Sequence, residues 1–179
     1  MKQNKQKKQR SLRPTTSKAR EALFNILRGR VEGARFLDLY AGTGAIGINA
    51  LREGASEVVF VEASKLNIKK INELIEKHGF EEFSRVVTKK VLPFIDAAEL
   101  DNQKFDIIFL DPPYHTDEIM NAMASISNAA ILNSDGTVIA EHFKKNELPE
   151  SFHNLRKIKE YNYGDTVFTF FKKAESQGQ

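Results

Sequence analysis

The sequence predicts an α/β protein of the Rossmann-like type, with a mostly parallel seven-stranded sheet, a closing C-terminal antiparallel hairpin, and helices on both faces. Short apolar runs alternate with amphipathic stretches along most of the 179 residues, which is the pattern of repeated βα units. A glycine-rich loop follows the first apolar run, where sheets of this kind bind ligands. Near the C-terminus two apolar runs flank Gly164-Asp165, and this arrangement predicts the hairpin.

The predicted elements follow one another without a long linker or an internal repeat. A first helix covers about residues 17–28, because its apolar residues recur at i, i+3 and i+4 between Pro14 and Gly29. Nearly continuous apolar runs at 57–62 and 105–110 are typical of parallel strands that are covered on both faces. The other predicted strands are 35–40, 85–88, 137–142, 155–161 and 166–172. The other predicted helices are one that follows the glycine loop and stops near Gly54, then 64–78, 91–100 and one from 116 or 117 to 130.

The composition favours one compact domain of a soluble protein. A chain of 179 residues with 41% hydrophobic and 28% charged content is long enough for one sizeable core. The lack of cysteine excludes disulfides, thiolate metal sites and cysteine nucleophiles, and the four histidines show no metal-ligand spacing. No apolar run approaches the roughly 18 residues of a membrane span, and the first twenty residues lack a signal-peptide core. We therefore expect a cytoplasmic protein, monomeric and without a metal.

Basic residues are concentrated at the start of the chain. Residues 1–20 hold eight lysines and arginines and no acid, which leaves 19 basic and 24 acidic residues in the other 159. A basic arm on an acidic domain favours a polyanionic partner, because such an arm releases counterions from phosphates. The alternative is a solvated tail. The predicted division is a basic arm at 1–12, whose composition is compatible with disorder, and a single domain at 13–179.

The glycine-rich loop, DLYAGTGAIG at 38–47, fits the spacing Gly-x-Gly-x-x-Gly. This spacing serves NAD, FAD and S-adenosylmethionine sites alike, because glycine lets the backbone approach the ligand closely. Glu62 ends the second strand about twenty residues after the loop, where an acid accepts hydrogen bonds from ribose hydroxyls. Asp38 lies within the first strand, where its carboxylate would repel a pyrophosphate and attract the ammonium group of a methionine. Asp38 and the closing hairpin favour S-adenosylmethionine over a dinucleotide.

The fourth predicted strand ends in Asp-Pro-Pro-Tyr at 111–114, which fits methyl transfer to an amine on a nucleobase. Such an amine is a poor nucleophile, because its lone pair is delocalised into the ring, and it needs acceptors for its hydrogens. The Asp111 carboxylate and the Pro112 carbonyl would supply them, and an ordinary carboxylate pKa would serve. Tyr114 offers a face on which an unstacked base can lie. A plain turn after a strand is the competing interpretation.

Together LDLYAGTGAIG, FVEAS and DIIFLDPPY resemble the class I S-adenosylmethionine-dependent methyltransferases that modify exocyclic amines. With RPTTSKAREALFNIL at 13–27 in front of them, the chain is similar to the bacterial 16S ribosomal RNA guanine-N2 methyltransferases, the RsmD family. The resemblance covers roughly residues 12–173. It implies a small-subunit ribosomal RNA substrate and places the Arg-Pro-Thr-Thr element near the mouth of the site, where cations would meet phosphates.

Two segments depart from the family pattern. Members usually begin with a basic, glycine-containing strand, whereas this chain has KQNKQKKQRSL. After the third strand the family commonly has an acid or amide that contacts adenine, whereas this chain has Lys89 and Lys90. Lysine cannot accept that hydrogen bond, so backbone groups near Lys90 and Val91 would bind the adenine.

The residues and the resemblance together define the predicted site. Glu141 and His142 end the fifth strand, where they would shape the base pocket or serve the fold alone. A DNA N6-adenine or N4-cytosine methyltransferase and a non-catalytic RNA-binding assembly factor are the alternative functions. The predicted residues are Asp38, Tyr40, Ala41, Gly42, Thr43, Gly44, Glu62, Ala63, Lys90 and Val91 for the cofactor, Asp111, Pro112, Pro113 and Tyr114 for transfer, and Arg13, Thr15, Thr16, Lys18 and Arg20 for the substrate.

Overall fold

The computed structural model of the protein describes residues 17–113 and 117–174. Its eight strands form one sheet in the order β3-β2-β1-β4-β5-β8-β7-β6. The first five strands are parallel, and β8 reverses the direction beside β5. The strands are β1 (Arg35–Leu39), β2 (Glu57–Glu62), β3 (Ser84–Thr88), β4 (Phe105–Leu110), β5 (Leu132–Phe143), β6 (Ser151–Phe152), β7 (Leu155–Tyr163) and β8 (Thr166–Lys173).

Helices cover both faces of this sheet. The helices are α1 (Ser17–Ile26), α2 (Ala45–Arg52), α3 (Lys65–His78), α4 (Val91–Leu100) and α5 (Glu118–Asn128), with one 3-10 turn at Glu81–Phe83. Helices α1, α2 and α3 contribute to one hydrophobic cluster, and α4 and α5 contribute to the other.

The central strands are apolar on both faces because each face meets a different layer of helices. In β4, Phe105 and Ile108 belong to the cluster with α4 and α5, whereas Ile107 and Phe109 belong to the cluster with α1, α2 and α3. All four side chains are buried. Burial of an apolar side chain contributes roughly 1.5–3 kcal/mol, so these strands anchor the fold.

The predicted fold class is confirmed, with differences at the strand ends and one added strand. β5 begins at Leu132 rather than 137, because Leu132 pairs with Phe105 before the polar residues that suggest a turn. The register then shifts, so that Thr137 pairs with Ile107. The two-residue β6 carries too little pattern for the sequence to predict it and makes the sheet eight-stranded rather than seven-stranded.

Strand β7 lies near one margin of the sheet. β6 pairs only with Arg156 and Leu155 at its start. A register irregularity between Lys157 and Lys159 interrupts the pairing of β7 with β8.

Among the described residues no helix is long and apolar enough to cross a membrane.

Candidate functional site

A cavity of about 740 Å³ opens at the carboxyl ends of the parallel strands. This is the position at which open α/β sheets bind ligands. The cavity brings together the glycine loop, the end of β2, the start of α4, the segment after β4 and the start of α5. The predicted residues in its wall are Asp38, Tyr40, Ala41, Gly42, Thr43, Glu62, Ala63, Lys90, Val91, Asp111, Pro112 and Pro113.

Glu62 links the two loops that form one side of the cavity. Its Oε2 accepts a hydrogen bond from the Gly42 backbone N–H at 2.8 Å, and its Oε1 accepts one from the Ser64 N–H at 2.7 Å. Each carboxylate oxygen has a further lone pair. Glu62 therefore has a fixed orientation and retains acceptor capacity for hydroxyl groups of a ligand.

Gly44 and Gly47 do not line the cavity, and each packs closely against a neighbouring element. Gly44 was predicted to contact the cofactor. Gly44 is buried at φ +80°, and a Cβ there would lie 2.9 Å from Ile71 of α3. A Cβ on Gly47 would lie 2.1 Å from the Phe60 ring of β2. These glycines allow α2 to lie close to the sheet, which positions the loop before it.

Asp38 is a buried carboxylate in the floor of the cavity, with 1% of its surface exposed. Its Oδ2 accepts a hydrogen bond from the Gly47 backbone N–H at 2.9 Å. Burial raises the pKa of Asp38 from 3.8 to about 7, the Gly47 bond opposes this rise, and the charges of Glu62 and Glu141 add to it. A cation in the cavity would favour the ionised form.

Asp111 follows β4 and lies in the same cavity as Asp38. Burial raises the pKa of Asp111 well above its ordinary value, and the charges of Glu141 and Asp38 raise it further. The transfer chemistry predicted from the sequence needs only an ordinary carboxylate pKa, so the raised pKa of Asp111 adds proton affinity that residue spacing does not predict. Pro112 is buried and Pro113 is exposed, while Tyr114 lies outside the described residues.

The start of α4 forms the opposite end of the cavity. Lys90 is the N-cap residue and makes no side-chain cap, which leaves the N–H groups of Val91 and Leu92 in the first turn. Pro93 occupies the third helical position and has no N–H. Lys89, Leu92 and Pro93 also line the cavity, so this end offers backbone donors and two lysine residues.

Three polar residues of the cavity wall were missed by the sequence argument: Asn67 of α3 and Glu118 and Asn121 of α5. They carry no motif, and only the folded chain brings their helices to the cavity. The Tyr40 hydroxyl is hydrogen-bonded to Glu118. Burial raises the pKa of Tyr40, and Glu118 adds to the rise through its charge and this bond.

The residues predicted to bind the substrate lie away from the cavity wall or outside the described residues. Arg13, Thr15 and Thr16 belong to the latter group. Lys18 is exposed on α1, and Arg20 lines a separate groove of about 410 Å³ between α1 and α2.

Residues at the end of β5 do not line the cavity. Glu141 is buried, and the Nε2 atom of His142 lies 2.7 Å from Thr169 Oγ1 of β8. His142 thus joins β5 to β8, which is the position expected if it serves the fold alone. Within 17–113 and 117–174, no group of histidines and acids is arranged to hold a metal ion.

Comparison with known families identifies the chain. The family model described as "Conserved hypothetical protein 95" matches residues 2–172. The chain belongs to this family. A Bacillus subtilis relative with the name "Putative rRNA methyltransferase YlbH" is 32% identical over 163 residues, which are 91% of this chain and 89% of the relative. The Escherichia coli K12 relative named Ribosomal RNA small subunit methyltransferase D is 28% identical over 172 residues, which are 94% of this chain and 82% of the relative. The resemblance to ribosomal RNA methyltransferases found in the sequence is thereby confirmed.

A solved structure shows the same architecture. The Haemophilus influenzae protein described as a "putative methylase" superposes with a TM-score of 0.77 at 27% identity. The match covers 90% of this chain and 100% of that protein. The class I methyltransferase fold is therefore shown by structure as well as by sequence.

Proposed function

We propose that this protein transfers a methyl group from S-adenosylmethionine to the N2 amine of a guanine in 16S ribosomal RNA. The observation that carries the proposal is one cavity that holds Asp38 and Glu62 at one side and Asp111 with Pro112 at another. The relatives named as ribosomal RNA methyltransferases give the substrate class. The protein is an S-adenosylmethionine-dependent RNA methyltransferase.

The cavity fits the cofactor by the chemistry of its wall. Glu62 would accept hydrogen bonds from the ribose hydroxyls, and Asp38 would meet the ammonium group. The Val91 and Leu92 N–H groups would donate to the adenine ring. Tyr40, Ala41, Gly42, Thr43, Ala63 and Lys90 would complete the site, and Gly44 would act through packing.

Asp111 and Pro112 would hold the reacting amine. Bound S-adenosylmethionine supplies a methyl group on a positively charged sulfur. In the transfer, the N2 lone pair would form the new N–C bond while the C–S bond breaks with its electron pair on sulfur, and N2 would lose one proton. Asp111 would accept that proton, and its raised pKa supports this role. Holding both reactants in line would supply much of the remaining rate enhancement.

The other expectations remain part of the proposal. Arg13, Thr15, Thr16, Lys18 and Arg20 would contact RNA phosphates, and Pro113 and Tyr114 would position the base. We also propose a single domain at 13–179 preceded by an arm at 1–12. The protein would be a cytoplasmic monomer that needs no metal. The DNA methyltransferase and assembly-factor alternatives are not favoured by the relatives.

Methyl transfer should be measured with labelled cofactor on unmethylated small ribosomal subunits, naked 16S RNA and duplex DNA, followed by nucleoside identification. We expect label in N2-methylguanosine from ribosomal material. Asp111→Asn should lower turnover by about 100-fold or more, because one proton acceptor is lost, while cofactor affinity stays within a few fold. Asp96→Asn, on the exposed side of α4, is the matched control and should keep full turnover.

The outcomes separate the alternatives. Label only in adenine or cytosine of DNA would retain the transfer chemistry and overturn the substrate. Cofactor binding without transfer to any of the three substrates would favour an assembly factor. Full turnover in Asp111→Asn would remove Asp111 from the transfer site.

A further inference from the structure

We infer that Glu118, supported by Tyr40 and Asn121, selects guanine at the transfer site by accepting the hydrogen of guanine N1. This inference rests on the proposed function and adds how the site distinguishes guanine from adenine and cytosine. The Asp-Pro-Pro-Tyr segment does not make that distinction, because it would hold the exocyclic amine of any of the three bases.

Glu118 and Asn121 share the cavity that contains Asp111 and Pro112. They lie three positions apart on α5, so their side chains project from neighbouring turns of one helix face. Both residues are exposed, so their polar groups are accessible to a base that enters this cavity from solvent. The neighbouring N-cap residue, Asp117, does not line the cavity.

Tyr40 gives Glu118 a defined position. Tyr40 has φ +59°, a left-handed conformation that is unusual for a bulky residue and is retained where surrounding structure enforces it. Its partly buried ring packs against the cluster that includes α4 and α5. The Tyr40 hydroxyl is hydrogen-bonded to Glu118, so one end of the carboxylate is held by the residue that follows β1.

The donor and acceptor groups on the Watson–Crick edge of a base determine whether a carboxylate can bind that base. Guanine presents N1–H, a donor, beside the N2 amine, whereas adenine and cytosine present a ring nitrogen lone pair beside their amines. An ionised carboxylate only accepts hydrogen bonds, so Glu118 would bind guanine N1–H and repel the other two bases. Asn121 has an amide that can donate to the O6 atom of guanine. Reading the Watson–Crick edge of an extruded base is common in enzymes that modify bases.

The test compares guanine with 2,6-diaminopurine, which keeps the reactive 2-amine but has a lone pair at N1. Each base is placed by RNA ligation at the position that the wild-type protein methylates, in whichever form, naked RNA or subunit, it accepts. We expect the wild type to prefer guanine by about 100-fold in kcat/KM, because a site built for a donor leaves its acceptor unpaired against the analogue. Glu118→Gln should reduce the preference to below about 10-fold, because its amide can donate to N1.

Control variants separate base selection from a structural role. Asp117→Asn removes the same charge from the same helix start and should keep the wild-type preference. Tyr40→Phe should reduce the preference for guanine over 2,6-diaminopurine less than Glu118→Gln does, because the Glu118 carboxylate remains. Cofactor affinity of Glu118→Gln, measured by calorimetry, should stay within about threefold of the wild type, because Glu118 contacts the base.

Three results would overturn the inference. An unchanged guanine preference in Glu118→Gln would exclude the acceptor role. An equal change in Asp117→Asn would assign the effect to charge at the helix start. A matching loss of cofactor affinity in Glu118→Gln would indicate general damage to the cavity. By contrast, absence of guanine methylation by the wild type would overturn the proposed function itself.

Discussion

Replacement of Asp38 by Asn should stabilise the protein without cofactor while weakening cofactor binding. Asp38 is almost fully buried, and burial raises its pKa from 3.8 to about 7. The folded protein thus holds a proton on Asp38 between these pH values, whereas the unfolded chain does not. Because the folded state binds more protons, its stability falls as pH rises from about 4 to about 7. Asparagine removes this dependence and keeps an oxygen acceptor for the Gly47 N–H.

The magnitude follows from the shift in pKa. A change from 3.8 to about 7 corresponds to an upper limit of roughly 4 kcal/mol at neutral pH. Relaxation of the cavity and entry of water would reduce this value, so a gain of about 1–4 kcal/mol is expected for Asp38→Asn at pH 7.5. At pH 4 the difference should fall below about 1 kcal/mol, because folded Asp38 is then neutral and the unfolded carboxyl, with its pKa of 3.8, is only partly ionised.

Urea unfolding of both proteins between pH 4 and pH 8 measures this difference, with m-values compared to confirm the same transition. Calorimetry with S-adenosylmethionine measures the opposing effect. The wild type should bind more tightly as pH rises toward 7.5, because the ammonium group requires ionised Asp38, and Asp38→Asn should lose this pH dependence. Parallel stability curves for the two proteins would refute the assignment of a raised pKa to Asp38.

Three further substitutions test packing, electrostatics and the buried network. Gly47→Ala should destabilise the fold by about 3 kcal/mol in urea, because its Cβ would lie 2.1 Å from Phe60; adding Phe60→Leu should restore part of the loss. Glu141→Gln should move the acidic limb of the methyl-transfer pH profile to lower pH, because the Glu141 charge raises the pKa of Asp111 and transfer needs ionised Asp111; an unmoved limb would contradict this coupling. Lys157→Met should cost about 1–3 kcal/mol in urea unfolding, because this largely buried ammonium group pairs with two glutamates and a backbone carbonyl; an unchanged midpoint would contradict it.

The sequence predicts the central strands well because their apolar runs have a single physical explanation. β2 and β4 have the predicted bounds, since a strand covered on both faces is apolar at nearly every position. The α3 helix is equally clear, because Ser64 caps it and Gly79 ends it in a left-handed conformation.

The remaining features depend on contacts between distant segments. Residues 133–135, which follow Leu132 at the start of β5, are polar and indicate a turn. Only the pairing of Leu132 with Phe105 brings that segment into the sheet. The close approach of Gly44 to Ile71 likewise requires the packed position of α3. The raised pKa of Asp111 results first from its burial and then from the charges of acids on two other strands, and residue spacing carries no information about either.

The incomplete cover of β7 by β6 also has a consequence for self-association. A long, flat strand margin offers unpaired backbone groups to a second copy and invites aggregation. The stretch of β7 beyond β6 begins with the register irregularity between Lys157 and Lys159, and Lys159 is exposed. A second copy that approached this margin would bring its own Lys159 toward a charge of the same sign and would meet an irregular backbone. The margin thus discourages strand addition during synthesis and storage, when the protein is not yet engaged with RNA.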